Sequence, residues 1–160
     1  MTVLKQVSPS GRTRMIDVGA KPATKREARA FARVEMKPET LSLITKNRIE
    51  KGNVLEVARL AGILAAKKTS EIIPLCHPLN IELVEVDVQP NEEVGSLDIN
   101  TLVRLSGKTG VEMEALTAAS AAALTVYDMC KSVDKGMVIS DIKLMMKRGG
   151  RSGLYRRKEK

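Results

Sequence analysis

Asp128 and Lys131 stand three residues apart, one helical turn, so a helix would bring carboxylate and ammonium together on one face. Glu112 and Glu114 lie further upstream, with no charged residue between Glu114 and Asp128. Lys51 comes just before an Asn-capped helical pattern, where free N–H groups favour anions. His77, the only histidine, sits between Pro74 and Pro78, which restrict the backbone and so fix where the imidazole points. Such groups move protons and hold anions. Clustered ammonium groups depress one another's pKa, and a carboxylate opposes this, so a lysine among lysines can serve as an acid at neutral pH. Each group also has an ordinary use. Asp128 and Lys131 could be a surface pair worth about 0.2–0.5 kcal/mol, Lys51 a solvated loop lysine, and His77 a core-edge histidine with a satisfied hydrogen bond. Residue types alone favour those uses. One histidine excludes a histidine metal cluster. Cys76 and Cys130 form no CxxC pattern and read as free thiols of a reducing cytosol.

The elements that must carry these groups follow from periodicity. The run between Glu114 and Asp128 is alanine-rich and reads as a buried helix, started by a capping box of Thr109 and Glu112 and ended in the polar segment from Lys131 to Gly136. Asn53, with Glu56 as reciprocal partner, caps a second helix from Val54 to Lys68. Its apolar face is Val54, Val57, Ala58, Ala61 and Ala65, and Gly62 within it marks a neighbouring backbone passing close. Ala28 to Met36 alternates as a first strand, and Pro38 opens a short helix to Lys46. Ile81 to Val88 and Ser96 to Leu105 form a hairpin about a turn at Asn91 to Gly95, and Gly136 to Lys147 is a last strand. Strand, helix, hairpin, helix, strand is an α+β, ferredoxin-like split βαβ order, with an antiparallel sheet and helices packed on one face. The chain, 1–160, is expected to be one domain, with a mobile N-terminal arm over 1–24 and a basic, glycine-rich tail over 148–160.

A net charge of +8 calls for an anionic partner: a nucleotide, a phosphorylated metabolite or nucleic acid. One Phe, two Tyr and no Trp weigh against single-strand binding by base stacking. No signal peptide and no apolar run long enough to span a membrane are evident.

Three strings carry a resemblance: KGNVLEVARLAGILAAKKTSEIIPLCHPL, SGKTGVEMEALTAASAAALTVYDMCKSVDKGM and KRGGRSG. In this order and spacing they resemble the MoaC family, the cyclic pyranopterin monophosphate synthases of molybdenum cofactor biosynthesis, over about Met15 to Gly153. The tail departs at Arg151, where the family pattern carries lysine; the charge is kept and its geometry changed.

The resemblance implies a cytoplasmic lyase acting on a cyclised dihydro-GTP. An imidazole ring opens and the system re-closes, a ribose hydroxyl attacks the α-phosphate, and pyrophosphate leaves. It implies Asp128 as acid/base, Lys51 and Lys131 as proton-transfer lysines, and substrate contact by Leu75, Cys76, His77, Met113 and Glu114. For such a substrate, Glu112 and Glu114 can accept hydrogen bonds from an amino-pyrimidinone edge. Glu112 is also the expected cap, and stays open between the two uses. Arg26, Lys147, Arg148 and Arg151 are candidates for phosphate contact, with the tail as a flap. No metal site is built by the protein, and magnesium is compatible only as a companion of the triphosphate. The family further implies a homohexamer of dimers. The resemblance places both Glu114 and Asp128 in the site although they are fourteen positions apart, about 21 Å on one helix, and so points to a site shared between two chains. The competing reading is a basic RNA- or DNA-binding module of ferredoxin-like topology; a structural subunit without activity would leave the Lys/Asp/His set without a purpose.

Overall fold

The computed structural model describes residues 11–158. Five strands, β1 (Thr24–Glu35), β2 (Leu83–Asn91), β3 (Ser96–Gly107), β4 (Val138–Arg148) and β5 (Tyr155–Arg156), form one sheet in the order β2-β3-β1-β4-β5. All four pairings are antiparallel. The helices are α1 (Pro38–Thr45), α2 (Val54–Lys67), α3 (Thr69–Ile72) and α4 (Glu112–Cys130). This is the expected α+β, split βαβ arrangement, extended by the short β5. The tail therefore folds back along β4, Tyr155 opposite Lys147, rather than leaving the sheet at 148. Residues 1–10 of the expected arm and 159–160 of the tail lie outside the described residues.

The core lies between α2, α4 and one face of the sheet. On β1, Ala28, Ala30, Ala32 and Val34 point into it, while Glu27, Arg29, Phe31 and Arg33 alternate to the other face. Small side chains on both partners let α4 sit close: Ala115, Ala118, Ala119, Ala122 and Ala123 are fully buried. Thr101 of β3 donates to the Ala115 carbonyl at 2.9 Å, tying sheet to helix inside the core. A Cβ on Gly62 of α2 would stand 2.9 Å from the Ala118 carbonyl oxygen, so glycine is there because the α4 backbone passes close, as anticipated.

Several local expectations are corrected. The capping box does not form: α4 begins at Glu112 with Val111 at the cap position and no side-chain cap bond, so Thr109 stays outside the helix. Glu112 thus occupies the first helical position, too early to reach back, and its carboxylate lies over Gly110. Asn53 does cap α2, accepting from the Glu56 N–H at 3.1 Å, but the Glu56 carboxylate pairs with Arg59 instead of returning to the cap. The buried stripe of α2 is Val54, Ala58, Gly62 and Ala66, while Val57, assigned to that face, is 42% exposed. Strand β1 starts at Thr24, earlier than expected, because its first residues pair with the end of β3 and, from Glu27, with β4.

Candidate active site

The end of the sheet where β1 begins and β3 and β4 finish is a groove with two halves. One, a cavity of about 530 Å³, is lined by Lys21, Arg26, Lys108, Lys147, Arg148 and Arg151. Six cations against two carboxylates, Glu27 and Glu112, give this lining a positive balance suited to phosphates. Strand geometry explains it: Arg26, Lys108, Lys147 and Arg148 all stand at or just past strand ends, where side chains leave the sheet. Arg26 is fixed by donating Nε to the Gly107 carbonyl at 3.2 Å and Nη2 to that of Lys108 at 3.3 Å. Lys147 touches Ser152 Oγ, which folds the tail onto the same wall.

The other half, about 340 Å³, is lined by Leu75, Cys76, His77, Glu112, Met113 and Glu114, and shares Lys21, Thr109, Gly110 and Glu112 with the first. The two halves are thus one continuous groove. The first turn of α4 supplies Glu112, Met113 and Glu114, and the proline-bounded loop after α3 supplies Leu75, Cys76 and His77. Glu114 is 3% exposed. Burial, with the neighbouring Glu112 charge, pushes its carboxyl above the usual carboxylate range, against an opposing bond from its own backbone. Burial likewise raises the Cys76 thiol, Glu114 adding to the effect, so this sulfur is held protonated. His77 Nε2 lies 2.8 Å from the Ile16 carbonyl oxygen, and Lys108 Nζ donates to the Gly19 carbonyl at 2.7 Å. These two contacts lay residues 16–21 along the groove wall.

A third cluster stands at the far end of α4. Asp128 accepts from Lys131 Nζ at 2.7 Å and from Lys51 Nζ at 3.0 Å, and Lys51 also donates to the Asp128 backbone carbonyl at 2.8 Å. Lys51 arrives there because it precedes α2, which packs along α4, and a lysine at a helix C-terminus is favoured by the dipole. Lys131, and then Lys51, hold the Asp128 carboxyl below its ordinary range. Asp128 in turn raises Lys131, the reverse of the depression expected from clustered lysines. Nearby Cys130 is buried, which with the Asp134 charge pushes its thiol up to about 11. Asp134 is structural: it accepts from the Lys37 N–H at 3.0 Å and from Thr40 at 3.2 Å.

Within one chain, then, Arg26, Lys147, Arg148, Arg151, Leu75, Cys76, His77, Glu112, Met113 and Glu114 come together, and Lys51, Asp128 and Lys131 do not join them. The groove contains none of those three. Both sets share the exposed side of α4, however. Met113 at its start, Leu124 and Asp128 toward its end are exposed, with Thr117, Ser120 and Ala121 half-buried between them. Lys21 and Lys108 were not singled out as site residues. Lys108 precedes the TGVEME string and could have been found; Lys21 joins only because the arm crosses the groove. Among the described residues no group of three or more His, Cys, Asp or Glu could hold a metal ion, and no helix is long and apolar enough to cross a membrane.

An antiparallel split βαβ sheet bearing a basic groove that runs into a carboxylate- and imidazole-lined cavity defines a protein built to hold a phosphorylated, ring-bearing small molecule. The model of the MoaC family matches residues 15–150, and the chain belongs to that family. Among curated relatives, it is 54% identical over 155 residues to the cyclic pyranopterin monophosphate synthase of Parvibaculum lavamentivorans, covering 97% of each chain. It is 55% identical to that of Thermomicrobium roseum, covering 99% of this chain and 96% of the relative, and 56% identical to that of Chloroflexus aggregans, covering 98% and 94%.

Proposed function

We propose that this chain is a cyclic pyranopterin monophosphate synthase, a cytoplasmic lyase that converts the cyclised dihydro-GTP to cyclic pyranopterin monophosphate and pyrophosphate in molybdenum cofactor biosynthesis. The observation that carries the reading is the continuous groove: a six-cation pocket sized for phosphates opens into a cavity whose carboxylates can take hydrogen bonds from an amino-pyrimidinone edge. Lys21, Arg26, Lys108, Lys147, Arg148 and Arg151 hold the triphosphate and offset the charge that builds on departing pyrophosphate. Glu112 and Glu114 orient the ring, with His77 and Met113 against it. The ribose hydroxyl oxygen bonds to the α-phosphorus as the bond to pyrophosphate breaks, and the hydroxyl proton passes to a base. Asp128, Lys51 and Lys131 exchange the protons needed there and for opening and re-closing the ring. Magnesium, where the triphosphate carries it, arrives as part of the substrate.

The proton-transfer set reaches the groove in a dimer. The Asp128 cluster is about 21 Å along α4 from Glu114, yet Met113 and Asp128 share the exposed side of that helix, separated by small residues and Leu124, 62% exposed. Two α4 helices packed antiparallel about a two-fold axis bring the start of each beside the end of the other and generate two equivalent sites. Exposed Leu60 and Leu64 on adjacent α2 extend the apolar surface for that contact. The hexamer that the family resemblance implies would assemble three such dimers. The nucleic-acid reading is not favoured, because RNA-binding sheets of this topology stack bases on several exposed aromatics. Here Phe31 lies under Arg33 at 5.5 Å and Lys143 at 5.1 Å. The test is to incubate the protein with the cyclised dihydro-GTP and follow pyrophosphate and the cyclic phosphate product; absence of both from folded protein refutes the reading.

A further inference from the structure

Glu27 follows Arg26 on β1, and its side chain is only 7% exposed. Taking an ionised carboxylate out of water is costly unless cations compensate it. Three guanidiniums do so from three strands: Arg148 of β4 at 2.8 Å, Arg29 of β1 at 3.6 Å and Arg104 of β3 at 3.8 Å. Arg148 is the last residue of β4 and stands opposite Glu27 in the strand ladder. Directly after it the chain turns through Gly149 and Gly150, at φ of 101° and 70°. A Cβ on Gly149 would run into the Lys25 carbonyl oxygen, and one on Gly150 into the Arg26 guanidinium. The turn therefore lies flat against the start of β1. Where Arg148 is held decides where Arg151 and Ser152 meet the groove, and both Glu27 and Arg148 line that groove themselves.

The geometry points to Glu27 as a positioning residue of the phosphate half of the groove: its carboxylate holds Arg148 and, through it, the 149–152 turn that walls the phosphates. This rests on the function proposed above. The assignment has a distinctive sign. Glu27→Gln removes a negative charge from beside the bound phosphates, so electrostatics alone demands tighter binding. Positioning demands weaker binding.

Pyrophosphate is titrated calorimetrically into the full chain at low ionic strength, with turnover of the cyclised dihydro-GTP measured in parallel. For Glu27→Gln the expected result is a rise of about tenfold in pyrophosphate Kd and in substrate KM, the size of one lost charge-assisted contact, with kcat changing far less. Glu27→Asp keeps the charge but withdraws the carboxylate by one methylene. It is expected to raise Kd by a smaller factor, and it carries the test if Glu27→Gln does not fold. Unchanged or tighter pyrophosphate binding in the variant overturns the assignment. So does a fall in kcat at constant KM, the mark of a reduced folded fraction. Either outcome beside an active wild type removes only the role of Glu27; a wild type that forms no product refutes the function itself.

Discussion

The separation of Glu114 and Asp128 gives a quantitative test of a site shared between chains. Helix α4 is regular from Glu112 to Cys130, so the fourteen steps from Glu114 to Asp128 span about 21 Å at 1.5 Å each. No side chain closes that gap within one chain. Glu114→Ala and Asp128→Ala should each be nearly inactive, since every site in either homodimer lacks one essential group. Unfolding the two proteins, mixing them in equal amounts and refolding them together changes this. Random pairing makes half the dimers mixed. In a mixed dimer one site takes the intact Glu114 of one chain and the intact Asp128 of the other, while the second site carries both lesions. Half the dimers with half their sites intact return about a quarter of wild-type activity if sites act independently. The assay is product formation by the refolded mixture, with chains of different mass tags to count mixed dimers. Mixed dimers at the random proportion with no recovered activity would place the whole site within one chain and refute the antiparallel helix arrangement.

Glu114→Gln should stabilise the protein at pH 7 while turnover falls at least about tenfold, the trade expected of a buried functional carboxylate. Because burial raises its folded-state pKa, Glu114 costs no stability below the unfolded value of about 4.3 and its full cost above the raised value. The gain in Tm should therefore be present at neutral pH and vanish by about pH 4, and a gain constant with pH would contradict this account. Gly62→Ala should lower stability in urea by about 1–2 kcal/mol, since the forced separation of α2 from α4 outweighs the roughly 1 kcal/mol of helix propensity gained; a more stable variant would show that the close approach to Ala118 is not constraining. His77→Ala should reduce turnover by at least about tenfold with little change in Tm, as the ring meets the Ile16 carbonyl at the groove wall rather than the core; equal losses in both would assign it to the core.

Periodicity made the scaffold legible because each element commits one face. Alternation on β1, the small residues of α4 and the Gly62 notch each state a packing partner before that partner is seen. The start of α4 was misjudged because Thr109 and Glu112 have the spacing of a capping box, yet the helix begins at Glu112 and leaves that carboxylate free to line the groove. The cap use is thereby excluded, and the carboxylate lines the groove. Val57 was misplaced for a different reason: α2 buries its narrow side against α4 and leaves Val57, Leu60 and Leu64 outside, and one chain's sequence does not distinguish an apolar core face from an apolar contact face. Lys21 and Glu27 were missed because their neighbours in space, Thr109 and Arg148, are remote in sequence. Spacing sets Glu114 and Asp128 at opposite ends of one helix, but that Leu75, Cys76, His77 and the basic tail join the Glu114 end, while Lys51 joins the Asp128 end, depends on tertiary packing that no single string carries.

The charge at the far end of α4 also argues for a second chain. Asp128 shares its two oxygens between Lys51 and Lys131, all three more than 40% exposed. In that setting the carboxylate raises Lys131 and the lysines lower Asp128, so proton affinities are driven apart. A pair separated in this way is a poor relay, because moving a proton from ammonium to carboxylate is uphill. Desolvation acts in the opposite sense on both, lowering a lysine and raising an aspartic acid. In the proposed dimer, the start of the partner's α4 would cover the cluster and supply that desolvation. In the dimer proposed above, the exposed cluster of a single chain would be a resting ion pair, and the helix contact that completes the groove would also move Asp128 and Lys131 toward matched affinities.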